Sequence, residues 1–194
     1  MYNILRILPF LSLIFCLELE IGSIMPKNNV GLKTINGDFI NLSSVRGEKG
    51  TLIIFSCNTC PWVIKWEDRY LDIAKKYIPK GVNMIAINSN VAKFSGDDSL
   101  IKMKEHAKKM NYNFTYAQDP NAEIANAFGA TKTPHVFLFN QNNSLVYKGA
   151  IDDNARDAKN VDEEYLANAL DALLENRKIE KESTKALGCS IKFN

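Results

Sequence analysis

Along this chain, short continuous apolar runs alternate with longer segments whose apolar residues return every three or four positions. Residues 51–55 (Thr-Leu-Ile-Ile-Phe) form a run of the kind found in a strand covered on both faces. Residues 82–88 and 135–140 predict two more strands, and residues 144–149 pair with the latter across an Asn-rich turn. Upstream, residues 32–42 predict a hairpin, with strands at 33–35 and 39–40 joined by Asn36-Gly37-Asp38. The helical segments lie between these runs. From about residue 60 to 78, Val63, Trp66, Tyr70, Ala74 and Tyr77 recur at helical spacing, until Pro79 and Gly81 end the pattern. Asp97-Asp98 opens a second helix, with Leu100, Met103, Ala107 and Met110 on one face and Lys108-Lys109 at the dipole's negative end. After a short strand at 114–117, Asp119 is the expected N-cap of a third helix, with Pro120 at its first position and Gly129 as its stop. A fourth runs from an Asn160 cap, with Glu163 three residues on, through Leu166, Ala169, Leu170, Leu173 and Leu174.

Strands alternating with helices predict one α/β domain over residues 30–175, a central mixed β-sheet flanked by helices, with the early hairpin as an N-terminal extension. Residues 24–29 are a polar linker, and the tail, residues 176–194, has no strong period and carries Cys189. Residues 7–17 hold no charge, with Arg6 before and Glu18 after. That stretch is too short to span a bilayer, which takes about 20 residues. Together with the small residues near Ile21-Gly22-Ser23 it predicts that residues 1–23 are a signal peptide or membrane anchor, hence an exported, periplasmic or membrane-tethered protein. Cys16 lacks the small residue before it that lipidation expects, since Phe15 stands there.

Composition changes this picture little. The 194 residues are 46% hydrophobic and 24% charged, as in ordinary globular domains, and a net charge of +2 gives no footprint for nucleic acid.

The chemistry lies in Cys57 and Cys60, two residues apart between the first long strand and the first long helix. A helix N-terminus offers partial positive charge and free N–H groups, which favour thiolate over thiol, and the thiolate is the reactive form. One turn of helix brings Cys60 close enough to form a disulfide with Cys57. Zinc sites share the Cys-x-x-Cys spacing, but there are only two histidines, His106 and His135, and no second pair. Thr133-Pro134, just before a strand, is a place where a cis peptide bond occurs, and a proline there leaves the Thr133 backbone open to an extended substrate. Trp62 is expected at the rim of the site or partly in the core. His106, Glu67 and Asp68 read as exposed, and Asp152-Asp153 as a solvated turn. Two readings of Cys189 stay open: an additional redox residue that shuttles with the pair or bridges two chains, or a small buried residue of a C-terminal strand.

Taken together, strand, Cys57-Asn58-Thr59-Cys60-Pro61, helix and a distant Thr133-Pro134 before a hairpin resemble the thioredoxin superfamily. The entry hairpin resembles its redoxin branch, which includes alkyl-hydroperoxide-reductase and thiol-specific-antioxidant proteins and membrane-tethered oxidoreductases. Phe55-Ser56-Cys57-Asn58, Ala130-Thr131-Lys132-Thr133-Pro134-His135, Gly149-Ala150-Ile151-Asp152-Asp153-Asn154 and Gly188-Cys189-Ser190-Ile191-Lys192 are similar to blocks in a group of bacterial thioredoxin-family proteins. The resemblance implies Cys57 as attacking cysteine, Cys60 as resolving partner, Pro134 as cis-proline and no cofactor. It implies a thiol–disulfide oxidoreductase that exchanges with protein dithiols and disulfides and draws on a thiol donor, including a membrane-bound one. The chain departs from the pattern in three ways. Thr59 stands where the group often has histidine. The strand before the pair lacks the buried acid usual in thioredoxins. The proline and threonine that peroxiredoxins place seven and three residues before the reactive cysteine are Gly50 and Ile54 for Cys57, and Ile53 and Cys57 for Cys60. The rival readings are a copper or zinc module using the pair with His135 or Cys189, a peroxiredoxin-like antioxidant, and a redox-idle binding domain.

Overall fold

A computed structural model describes residues 17–194. Most of the predicted leader, including Cys16, lies outside the described residues. Among them, no helix is long and apolar enough to cross a membrane.

Seven strands form the main sheet: β1 (Leu32–Thr34), β2 (Phe39–Ile40), β3 (Gly50–Phe55), β4 (Val82–Asn88), β5 (Thr115–Gln118), β7 (His135–Asn140) and β8 (Leu145–Gly149), in the order β2-β1-β5-β4-β3-β7-β8. Strands β3, β4 and β5 run parallel, while β1 and β7 pair antiparallel on either side of them. A second, two-stranded sheet joins β6 (Lys132–Thr133) to β9 (Cys189–Ser190). The helices are α1 (Pro61–Tyr77), α2 (Leu100–Lys109), α3 (Glu123–Phe128) and α4 (Tyr165–Leu174).

The alternation inside β3 explains its unbroken apolar run. Leu52 and Ile54 face a core shared with Trp66, Tyr70 and Tyr77 of α1 and Leu166 and Leu170 of α4. Ile53 and Phe55 face the opposite core, shared with Ile124 and Phe128 of α3. Each face is covered, so no polar position interrupts the strand. Phe55, Phe128 and Phe137 meet edge to face, with centroids 5.2–5.7 Å apart, and clamp the end of β3 from which the cysteine loop departs. Met103 and Ala107 of α2 pack on Ala86 and Tyr116.

The mixed α/β architecture and the entry hairpin agree with the sequence; the differences lie at helix ends and at polar residues. Cys60 is the N-cap of α1 and lies outside the helix. The N-cap of α3 is Ala122, not Asp119, although Asp119 Oδ2 accepts the Ile124 and Ala125 N–H groups at 3.0 Å, and Pro120 is not the first helical residue. The chain first turns through Ala122, at φ 53°. Asn160 belongs to a short 3-10 turn, and α4 starts at Tyr165.

Three exposure expectations are corrected. Glu67 is 2% exposed, because the Tyr112 hydroxyl and His106 Nε2 both meet its Oε1, and His106 is drawn inward with it. Asp152 is 5% exposed, accepting from Trp66 Nε1 at 2.6 Å and lying 2.9 Å from Arg69 Nε. These partners come from distant segments, so the polar residues are buried with their hydrogen bonds made.

Both ends of the described chain lie against the domain. Residues 19–25 run beside α3 and β8 through Leu19 N–H to Phe128 O (2.9 Å), Gly22 N–H to Leu145 O (2.8 Å) and Met25 N–H to Asn143 O (2.9 Å). At the other end, Thr184 N–H donates to Lys148 O (3.0 Å), covering the β8 edge before the chain reaches β9.

Candidate functional site

The parallel strands β3, β4 and β5 end at the same side of the sheet, where open α/β sheets place their sites. From β3 the chain passes through Ser56, whose N–H donates to Ile87 O (2.8 Å), to Cys57, Asn58 and Thr59. Cys60 is extended (φ −71°, ψ 122°), and Pro61, with no N–H to lose, starts α1. The first turn of α1 carries no acidic residue, so the positive end of its dipole faces the cysteines unopposed.

Cys57 and Cys60 are free thiols, 3% and 4% exposed, and cluster with Val63, Trp62 and Cys189. The Thr133–Pro134 peptide bond is cis. Thr133 meets both sulfurs: its carbonyl accepts from the Cys60 thiol at 3.1 Å and its hydroxyl lies 3.4 Å from Cys57 Sγ. Trp62 is half-buried, packed on this cluster and on the core beneath α1.

The two thiols share one hydrogen bond, which couples their electrostatics. Cys57 is pushed up, first by donating its proton to Cys60, then by burial and by the charge of Asp98. Cys60 is pushed down, first by that same hydrogen bond and further by Cys189 and the Val63 N–H, against the effect of burial. Cys189 is pushed up by burial and by its bond to Cys60. The Thr133 carbonyl favours the neutral Cys60 thiol, so the two sulfurs titrate as one unit. The first negative charge belongs to the hydrogen-bonded pair, with the Cys189 thiol beside Cys60.

A buried polar network underlies the pair. Asp98, fully buried, accepts the Asn58 N–H (2.9 Å) and Asn90 Nδ2 (3.0 Å). The Tyr116 hydroxyl donates to Asn58 Oδ1 (3.0 Å), and Gln118 Nε2 donates to Asp98 O (2.8 Å). The acid missing from β3 is thus supplied by the loop before α2. The run Asn88-Ser89-Asn90 straight after an apolar strand, followed by Asp97-Asp98, was its one trace in the sequence.

Cys189 lies in β9, paired with Thr133 in register, beside Cys60. His135 turns away: its Nε2 is 2.6 Å from Glu18 Oε1, and Lys148 Nζ is 3.3 Å from Glu18 Oε2. Among the described residues no group of three or more His, Cys, Asp or Glu is disposed to hold a metal ion.

Comparison with known proteins sets this geometry in a family. The Redoxin family model matches residues 21–165. An uncharacterised conserved protein from Geobacillus kaustophilus is similar at 35% identity, over 90% of this chain and 93% of its own, with a TM-score of 0.83. A hypothetical protein from Sinorhizobium meliloti aligns at 28% identity, over 91% and 96%, also with a TM-score of 0.83. A putative thiol:disulfide interchange protein DsbE from Chlorobium tepidum shares the fold at 20% identity, over 81% and 99%, with a TM-score of 0.62. No curated protein sequence matches significantly. A family model over most of the chain, with the cysteine pair and the cis-proline on a thioredoxin-like sheet, establishes that this chain belongs to the Redoxin family.

Proposed function

We propose that the chain is a thiol–disulfide oxidoreductase whose Cys57 and Cys60 exchange disulfides with protein partners outside the cytoplasm. The observation that carries this reading is the contact of one residue, Thr133, with both sulfurs at the N-terminus of α1. In the reduced protein the thiolate attacks a partner disulfide, its sulfur bonds to the nearer partner sulfur, and the far one leaves as thiolate and takes a proton. The second cysteine of the pair then displaces the partner, leaving Cys57–Cys60 oxidised and the partner as a dithiol. Cys57 attacks and Cys60, hydrogen-bonded to it, resolves. Pro134 holds Thr133 against the sulfurs, and Trp62 forms the partner-facing rim. An exported location with a thiol donor, at the membrane or soluble, supplies the electrons.

Single serine variants test this. Cys60→Ser accumulates partners disulfide-bonded through Cys57; trapping on Cys60 in Cys57→Ser alone reverses the order, and trapping on neither defeats the reading. The uncharged Asn58-Thr59 and the Asp98 charge beneath Cys57 both favour a reductant or isomerase. A potential more positive than about −150 mV, in the range of strong oxidants, contradicts that.

The peroxiredoxin-like reading lacks the spacing noted above. For the metal reading, His135 is held by Glu18, and among the described residues no group of three or more His, Cys, Asp or Glu is placed to hold an ion.

A further inference from the structure

The C-terminal segment lies where an extended partner would lie. Strand β9 runs antiparallel to β6, with Cys189 opposite Thr133 and Ser190 opposite Lys132. The segment is anchored beyond the pairing: Ile191 N–H donates to Thr131 O (3.0 Å), Lys192 N–H to Asn90 Oδ1 (2.8 Å), and Ile191 is buried in the core. Gly188 makes the approach feasible, because a Cβ there would overlap the Thr133 carbonyl. The outcome is a row of three sulfurs: Cys57 innermost, Cys60 between, Cys189 outermost. Cys57 and Cys60 are almost wholly covered, whereas Cys189 is partly exposed.

Resting on the exchange reading above, we infer that Cys189 is the port through which an external thiol reductant reaches the buried pair. After the pair has taken a partner's disulfide, the Cys189 thiolate attacks Cys60 Sγ. The Cys57–Cys60 bond breaks, a Cys60–Cys189 bond forms, and the released Cys57 thiolate takes up the proton that Cys189 lost, so the step has no net oxidation. An external thiolate then attacks the partly exposed Cys189 sulfur. Cys60 leaves, its thiolate stabilised by the hydrogen bond from the Cys57 thiol. A second external thiol then frees Cys189 and carries the disulfide away.

The test uses the full chain oxidised with diamide, with reduced glutathione as the probe thiol. Peptide mass spectrometry of acid-quenched wild type is expected to show both Cys57–Cys60 and Cys60–Cys189 disulfides. Cys189→Ser is expected to form Cys57–Cys60 normally and to be re-reduced at least tenfold more slowly. Gly188→Ala, which displaces the segment, is expected to slow re-reduction as well. Wild-type rates in Cys189→Ser overturn the port, and faster re-reduction in Gly188→Ala with wild-type rates in Cys189→Ser identifies β9 as a mere cover. Loss of disulfide formation between Cys57 and Cys60 in wild type would instead defeat the exchange reading itself, so the two failures are distinguishable.

Discussion

The segments at the two ends of the described residues meet the Thr133-Pro134-His135 turn at different residues, His135 and Thr133, and are held there by different physics. Glu18, at the start of one, lies against His135 and Lys148, while its neighbours donate and accept backbone hydrogen bonds along α3 and β8 and bury Met25. The other segment meets Thr133 through a glycine and a two-residue ladder, carries a sulfur, and is tied by Lys192 and Asn90 to Asp98 under the cysteines. The first segment belongs to the core and a surface charge cluster; the second belongs to the site. Burial and charge keep one in place whatever the redox state, whereas the other touches the atoms that change in it.

The largest expected effect separates these roles. Gly129 sits at φ +63°, and a Cβ there would overlap Leu17 and Glu18. Gly129→Ala therefore combines left-handed strain with displacement of the first segment, and should lower global stability by about 2 kcal/mol in urea unfolding. An unchanged midpoint would show that the segment is not coupled to the fold.

Gly188→Ala should do the reverse, leaving global stability within about 1 kcal/mol while raising the alkylation rate of Cys189 about tenfold through local opening. Equal alkylation in variant and wild type would mean that β9 is not held by the close approach at Thr133.

Asp98→Asn cuts the charge at the point where the second segment joins the site. Removing a negative charge beneath the pair stabilises the thiolate that its two hydrogen-bonded sulfurs share, and with it the reduced form, and should move the redox potential up by about 30 mV, a tenfold change in equilibrium constant. A glutathione redox titration measures it, and a downward shift would contradict the assigned effect of Asp98.

The smallest effect belongs to Glu18. Its contact with His135, then that with Lys148, holds its carboxyl below the ordinary 4.5, against partial burial. A carboxyl lowered on folding stabilises the native state above its unfolded value and ceases to as pH falls through the lower folded one. The protection factor of the Leu19 amide, relative to its intrinsic rate at the same pH, should therefore fall below pH 4.5. Glu18→Gln should flatten that dependence and, for a pair this exposed, change stability by at most about 1 kcal/mol. Identical pH profiles in both proteins would assign the lowering elsewhere.

How much was legible in the sequence depended on how local each cause is. The apolar run of β3 and the three-and-four spacing of α1 report burial patterns that the chain carries within itself, so these elements were readable to within a residue or two. The Cys57-x-x-Cys60 spacing between strand and helix and the Thr133–Pro134 bond before a strand were readable for the same reason, because each is set by residues adjacent in the chain. Glu67, His106 and Asp152 were misjudged because a carboxylate or imidazole is exposed by default, and only partners 39 to 86 residues away make its burial tolerable. Asn160 and Pro120 have the composition of helix starts, but tertiary packing shifted both helices onward.

The sequence by itself determined the α/β architecture, the cysteine pair at a helix mouth and the proline turn that would face it, because each depends on periodicity or on residue types adjacent in the chain. Only the tertiary structure decided that the two thiols share a hydrogen bond, that a buried Asp98 lies beneath the cysteine loop, and that Cys189 joins the pair 129 residues after Cys60. Those outcomes depend on hydrogen bonds and burial between segments far apart in the chain, which no local pattern encodes.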